Sequence, residues 1–315
     1  MTGSTTTRLV VGTTKGLYEV EASGAGSEAR ADGGPLADRE VVALALEGGT
    51  LWAVADRQAL LRQQPAGPWD EVAGAGSFEL TCLLPSSFGL LVGAEEAHLL
   101  RLEEGSLEPL ESFERVEGRE TWHTPWGGPP AVRWLTQDRA GRLHVNVHVG
   151  GIPRSADGGG TWTPTIEVDA DVHQVLAHPS REDLVVAATA VGLAVTEDGG
   201  DHWRFERAGL HAAYCRAVAF CDGAVLVSAS TGPSGRRAGL YRAPLDDVSR
   251  LQRCSAGLPE WFDANIDTGC LTGAGTTAAF GTPDGSVYLS HDAGASWGQV
   301  TAGLPPVRSV LPGTG

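Results

Sequence analysis

The sequence predicts an all-β fold, a seven-bladed β-propeller of four-stranded antiparallel blades whose ring is closed by strands from both termini. Three observations carry this. Short hairpin units recur along the chain. An Asp-Gly-Trp pattern recurs inside several of them. Each terminus holds the part of a blade that the other lacks. One propeller domain over residues 1–315 accounts for the whole chain.

The hairpins come first. RLVVGTTKGLYEV (8–20), LVVAATAVGLAVTEDGG (184–200), AVLVSASTGPSGRRAGLYRAPLDD (224–247) and TAAFGTPDGSVYLSHDAG (277–294) share one form. A β-branched run meets a Thr/Ser/Gly turn, and an alternating run follows, which is the signature of a hairpin. A third run then closes on Ala-Gly-Leu in WRFERAGL (203–210), LQRCSAGLP (251–259) and WGQVTAGLP (297–305). A further strand follows each of these. Four strands with a period of roughly 40–50 residues are what a propeller blade requires.

The innermost strands are then VVALAL (41–46), FELTCLL (78–84), AVRWLTQD (131–138), DVHQVLAH (171–178), YCRAVAF (214–220), NIDTGCL (265–271) and VRSVLP (307–312). The last stands at the C-terminus with no outer strands after it. The first hairpin has no inner strand before it. Pairing the two closes the ring and removes an open sheet edge. The count is seven, within one blade, because the units between 20 and 115 are degenerate.

Composition limits the function. Hydrophobic residues make up 42% and charged residues 20%, enough for a large core. The formal net charge is −16, and Lys15 is the only lysine. Nucleic acids and anionic membrane surfaces need a basic footprint, so neither is an expected partner. Five cysteines without a CxxC spacing argue against a disulfide framework or zinc ribbon. With no leader-like start and no apolar run of spanning length, the expected location is the cytoplasm.

The most regular motif is SADGGGTW (155–162), with TEDGGDHW (196–203) and SHDAGASW (290–297) in register. Asp157, Asp198 and Asp292 could be catalytic carboxylates, but a catalytic group is needed once, and a feature repeated in each unit is architectural. Gly supplies positive backbone angles, the Asp carboxylate accepts the turn's amide protons, and Trp covers the hairpin. These three Asp residues are therefore structural.

The same residues resemble the Asp-box, or BNR, repeat, S-x-D-x-G-x-T-W. With its flanking hairpins, the chain resembles BNR-type propellers such as sialidases, sortilin-like receptors and a photosystem II stability factor. It is most similar to intracellular bacterial BNR proteins labelled glycosyl hydrolase or sialidase-like. The resemblance implies that Asp boxes lie on the face opposite the active site. It does not imply sialidase activity. That chemistry needs a Phe/Tyr-Arg-Ile-Pro motif, an arginine triad and a Tyr-Glu pair. GIPRS (151–155) lacks the Arg before Ile-Pro.

Ligands of propellers bind at the central mouth, where inner strands begin and second strands end. The inner-strand positions are Arg133, His173, Arg216, Asp267 and Arg308; the second-strand ends are Asp56, Glu95, His148, Thr189, Ser230 and Thr282. Alternation behind Val132, Val172 and Val307 sends Arg133, His173 and Arg308 in one direction. Arg133, Arg216 and Arg308, with Tyr214, could clamp a small carboxylate or phosphate. The alternative is that they pair with neighbouring carboxylates such as Glu79 or Asp267. Trp122 and Trp126, on the long loop 111–130, would form a lid or wall. His123, His148 and His173 could converge on a divalent transition metal, zinc or iron, with an open fourth position. The resemblance adds that His123-Thr124-Pro125 and Asp171-Val172-His173 match the related proteins, whereas His148 stands where they carry a carboxylate. The bland alternative is three hydrogen-bonded or solvated histidines. His144, His178, His202 and His291 are read as structural or surface.

Two functions follow. One is a mouth that binds a small anion, extended to a metal-assisted hydrolase or lyase. The other is a non-catalytic assembly or interaction scaffold with a protein partner, for which Trp261-Phe262 is a candidate contact.

Overall fold

The first hairpin shows how each blade is made. In the computed structural model, which describes residues 6–24, 26–125 and 127–313, Thr7–Thr13 pairs antiparallel with Gly16–Ser23. The turn between them is tied by its own threonine. Thr13 Oγ1 donates to the Gly16 carbonyl at 2.8 Å and accepts the Lys15 amide at 3.1 Å. Thr189 repeats both bonds, Ser230 bonds the Gly232 carbonyl, and Thr282 bonds that of Ser286. Thr189, Ser230 and Thr282, expected as mouth groups, instead close their own turns.

Seven four-stranded sheets result. Blade 1 adds Gly26–Ala31 to the first hairpin. Blades 2 and 3 run from Val41–Glu47 to Trp69–Gly74 and from Leu80–Ser86 to Ser106–Pro109. Blades 4 and 5 run from Val132–Gln137 to Thr163–Pro164 and from Val172–Ala177 to Arg204–Glu206. Blades 6 and 7 run from Tyr214–Cys221 to Gln252–Arg253 and from Leu271–Ala274 to Gly298–Thr301. Blade 7's inner strand thus begins at Leu271, so Asp267 sits on the loop before it. Val307–Pro312 joins blade 1 as its inner strand, with Leu9 opposite Pro312 and Val11 opposite Val310. The ring closes as the sequence predicts.

The core is a series of layers between adjacent blades. Leu143, Val145 and Val147 on blade 4's second strand pack toward blade 3. Period-2 alternation gives the opposite face of that strand to His144, Asn146 and His148, all buried. The glycines of two of the three Ala-Gly-Leu turns press on the next blade. A Cβ at Gly209 or Gly257 would stand 1.8 Å from the carbonyl oxygen of Leu251 or Trp297, whereas nothing lies within 4 Å of one at Gly303.

The three Asp motifs form one turn between third and fourth strands, on the face away from the mouth. Asp157 Oδ1 accepts Ser155 Oγ and the Thr161 amide at 2.8 Å each, and Oδ2 accepts Thr161 Oγ1. Asp292 repeats this with Ser290 and Ser296, and Asp198 with Thr196 and His202. Bonds to Thr161 and Ser155 hold Asp157 at about 2, and bonds to Ser296 do the same for Asp292. Gly158 and Gly159 take positive φ, as do Ala293 and Gly294. Arg154 of GIPRS lies on blade 4's third strand and binds the Gly199 carbonyl of blade 5's Asp turn. All five cysteines are buried and unpaired. No helix among the described residues is long and apolar enough to cross a membrane.

Candidate functional site at the channel mouth

The inner strands do not enter the channel as regular strands. Their pairing with the second strand shifts register between Val41 and Ala43, Leu80 and Cys82, Val132 and Trp134, Val172 and Gln174, and Cys215 and Val218. A bulge re-aims the residue it carries. In blades 2 and 3 that residue is Val42 or Thr81. In blades 4, 5 and 6 it is Arg133, His173 or the Arg216-Ala217 pair. Blade 1's inner strand shifts register at the same level and carries Arg308, so polar bulges lie on blades 1, 4, 5 and 6.

A cavity of about 530 Å³ occupies the channel, and Arg57, Arg133, Arg216 and Arg308 reach it. Trp134 lines it. It extends across the channel to Gly269, where an added Cβ would lie 3.1 Å from the indole. Most arginines at the mouth are neutralised. Arg216 grips Asp267 Oδ1 through Nε and Nη2 at 2.9 and 2.7 Å. Arg308 bonds Glu40 at 2.8 Å and Arg57 bonds Glu95 at 2.9 Å. The Arg133 guanidinium has no hydrogen bond or ion pair to any described residue. Burial and the neighbouring Arg216 charge lower its pKa from the ordinary value. Burial works the same way on Arg216, but Asp267 and Tyr214 outweigh it and leave that pKa raised. The expected three-arginine clamp is thus one cation without a direct hydrogen bond or ion pair, Arg133, with two paired neighbours.

Tyr214 is half-buried, accepts a bond from Arg216 Nη1 at 3.3 Å and lies beneath that guanidinium. Trp122 does not stand over the mouth. It is buried in the layer between blades 3 and 4 against Phe113, because two short 3-10 turns fold the long loop back onto the core. Trp126 lies outside the described residues.

The histidines are arranged differently from the expected trio. His123 is exposed and bonds the Thr121 carbonyl. His148 and His173 are buried with ring centroids 5.9 Å apart, and the carboxylate beside them is Asp171. His148 Nε2 lies 3.0 Å from Asp171 Oδ1, and His173 Nε2 lies 3.6 Å from Oδ2. His173 Nδ1 donates to the Cys215 carbonyl at 2.6 Å, turning the ring into the protein rather than into the open channel. Burial would raise Asp171, but the adjacent His148 and His173 pull it well below the carboxylate range. Asp171 has left-handed backbone, φ 48 and ψ 74. Sequence reasoning missed it as a site residue. The Asp-x-His spacing to His173 was the available signal.

No protein-family model and no curated protein sequence matches the chain. Solved structures do resemble it. The GH74 enzyme of Niastella koreensis superposes with a TM-score of 0.61 at 12% identity, covering 82% of this chain and 45% of its own. The GH74 xyloglucanase of Xanthomonas campestris gives 0.58 at 17%, covering 83% and 45%. This chain therefore spans about half the length of those enzymes. YCF48 from Cyanidioschyzon merolae gives 0.55 at 14%, covering 91% and 94%. At these identities the similarity establishes the β-propeller fold, and the fold alone.

Proposed function

We propose that this chain is a BNR-type propeller that binds a small anionic ligand, a carboxylate or phosphate, at the channel mouth. The observation that supports it is the Arg133 guanidinium, which is half-buried, lines the cavity and has no anionic partner among the described residues. A desolvated cation beside a second guanidinium is unfavourable unless an anion joins it. Arg216, oriented by Asp267 and Tyr214, is the second donor at that point. Charge-assisted hydrogen bonds of this kind are worth roughly 1.5–3 kcal/mol. Xyloglucan cleavage is not carried over, because the chain spans 45% of the enzyme so named.

The test is thermal melting with inorganic phosphate and with malonate at fixed ionic strength. A ligand at a hundred times its Kd adds about 2.7 kcal/mol. For 315 residues, at about 2.1 cal/mol/K per residue, this raises Tm by about 4 °C. Arg133→Met removes the response, and Arg250→Met, far out on an exposed turn, keeps it. An equal rise in Arg133→Met would sink the proposal, as would no rise with either anion.

A further inference from the structure

Three places outside the mouth arginines were the strongest candidates: the His148, Asp171 and His173 cluster; the Trp261 side chain with Arg237 and Arg253 within 5 Å of its ring; and the buried His144–Asn146 face. The first carries furthest. We propose that His148, Asp171 and His173 form a binding site for one divalent first-row metal ion, zinc or ferrous iron.

The reasoning begins at His173. A carbonyl oxygen can only accept, so the bond from His173 Nδ1 to Cys215 fixes the proton on Nδ1. That is the bond a metal-bound imidazole makes with its outer nitrogen, and it orients the inner one. The inner nitrogen, Nε2, is fully buried and has no hydrogen-bond partner. It faces Asp171 Oδ2 at 3.6 Å. A nitrogen lone pair and a carboxylate oxygen are both acceptors, and burying them face to face is unfavourable unless a cation stands between.

The third donor reaches the same point. Asp171 Oδ1 is 3.0 Å from His148 Nε2 yet is not aligned with it for a hydrogen bond. Oδ1 is thus left without a donor beside a ring nitrogen, as a metal-ligating carboxylate oxygen would be. One ligand atom from each of the three residues lies within 4.8 Å of the others. Bonds of about 2.0–2.1 Å in a tetrahedral site put donors about 3.4 Å apart. The carboxylate-to-histidine distances, 3.0 Å to Oδ1 and 3.6 Å to Oδ2, are near that value, so either a bidentate carboxylate or a small turn of it completes the set. Two histidines and one carboxylate leave open coordination positions, the donor set of hydrolytic zinc and of non-haem ferrous iron. The left-handed backbone of Asp171, disfavoured for a residue with a Cβ, holds the carboxylate between the rings. The Tyr214 ring packs against His173 at a tilt, with centroids 4.8 Å apart, and it also contacts the Arg216 guanidinium.

The full chain is stripped with a chelator and titrated separately with zinc, with ferrous iron under anaerobic conditions, and with cobalt as the visible-absorption probe. Bound metal is counted by mass spectrometry after gel filtration. About one equivalent of zinc or iron is expected, with cobalt bands for a site of mixed nitrogen and oxygen donors. Asp171→Asn, nearly isosteric, binds roughly a hundredfold or more weaker, and His148→Gln does the same should Asp171→Asn fail to fold. His123→Ala binds as wild type. Retention of less than about a tenth of an equivalent of every metal overturns the site, and so does unchanged affinity in a folded Asp171→Asn or His148→Gln. The Arg133 experiment is unaffected by either result.

Discussion

Two glycines in equivalent sequence settings should respond very differently to one methyl group. Gly257 and Gly303 both stand in Ala-Gly-Leu-Pro, and both have positive φ, 80° and 78°. Alanine costs each of them the left-handed conformation, about 1–2 kcal/mol. Gly303→Ala meets nothing within 4 Å, so that is its whole cost. At Gly257 the new Cβ falls 1.8 Å from the Trp297 carbonyl oxygen, and ordinary contact begins at 3.4 Å. Blades 6 and 7 must part there by about 1.6 Å, and such overpacking adds about 1–3 kcal/mol. The expected losses are about 1–2 kcal/mol for Gly303→Ala and about 2–5 for Gly257→Ala. With about 2.1 cal/mol/K per residue over 315 residues, Tm falls by about 2–3 °C and about 3–8 °C respectively. Scanning calorimetry of both variants at one pH decides the matter. Equal shifts would show that the contact between blades does not set the need for glycine, and the account of the repeat would be wrong.

The Asp turns and the ring closure give two further tests. Asp157 and Asp292 titrate at about 2 in the folded chain, below the ordinary 3.8, so their contribution is fully present above about pH 4 and is lost as pH falls toward 2. Asp292→Ala should therefore lower Tm at neutral pH, shrink the acid-induced loss between pH 4 and 2, and leave phosphate binding per folded molecule unchanged; loss of binding at unchanged Tm would make the turn functional. A chain ending at Pro306 lacks blade 1's inner strand and should aggregate or unfold on gel filtration. A monomer with an unaltered melting curve would mean that Val307–Pro312 does not secure the ring.

What the sequence revealed depended on repetition. Hairpins, Asp turns and the split first blade recur or complement each other, so each one supports the next, and the architecture followed. The mouth is where units differ, and there single residues had to speak alone. Alternation sent Val172 and His173 to opposite faces, but the register shift between Val172 and Gln174 breaks the period and buries both. Thr189 and Ser230 looked like mouth groups because they end second strands; their hydroxyls turn back to the chain, as Thr13 does in the same local setting. Trp122 read as a lid because it lies in a long loop, and its burial with Phe113 follows from folding of that loop that no periodicity announces. Asp171 carries no repeat signal; its spacing to His173 was visible, but its approach to His148 on blade 4's second strand was not.

Pairing the two ends of the chain in one sheet also sets a clock on biosynthesis. Thr7–Thr13 leaves the ribosome before every other strand of the ring, and its partner Val307–Pro312 follows about 300 residues later. At about 5–20 residues per second, that wait is about 15–60 s. Through it, the earliest strand offers a bare row of amides and carbonyls to any neighbouring nascent chain. Blades 2 to 7 can stack as they appear, but the last contact, which turns an arc into a ring, waits on the final strand. Slow translation of the codons for Val307–Pro312, or crowding of polysomes, would therefore affect yield through this one seam.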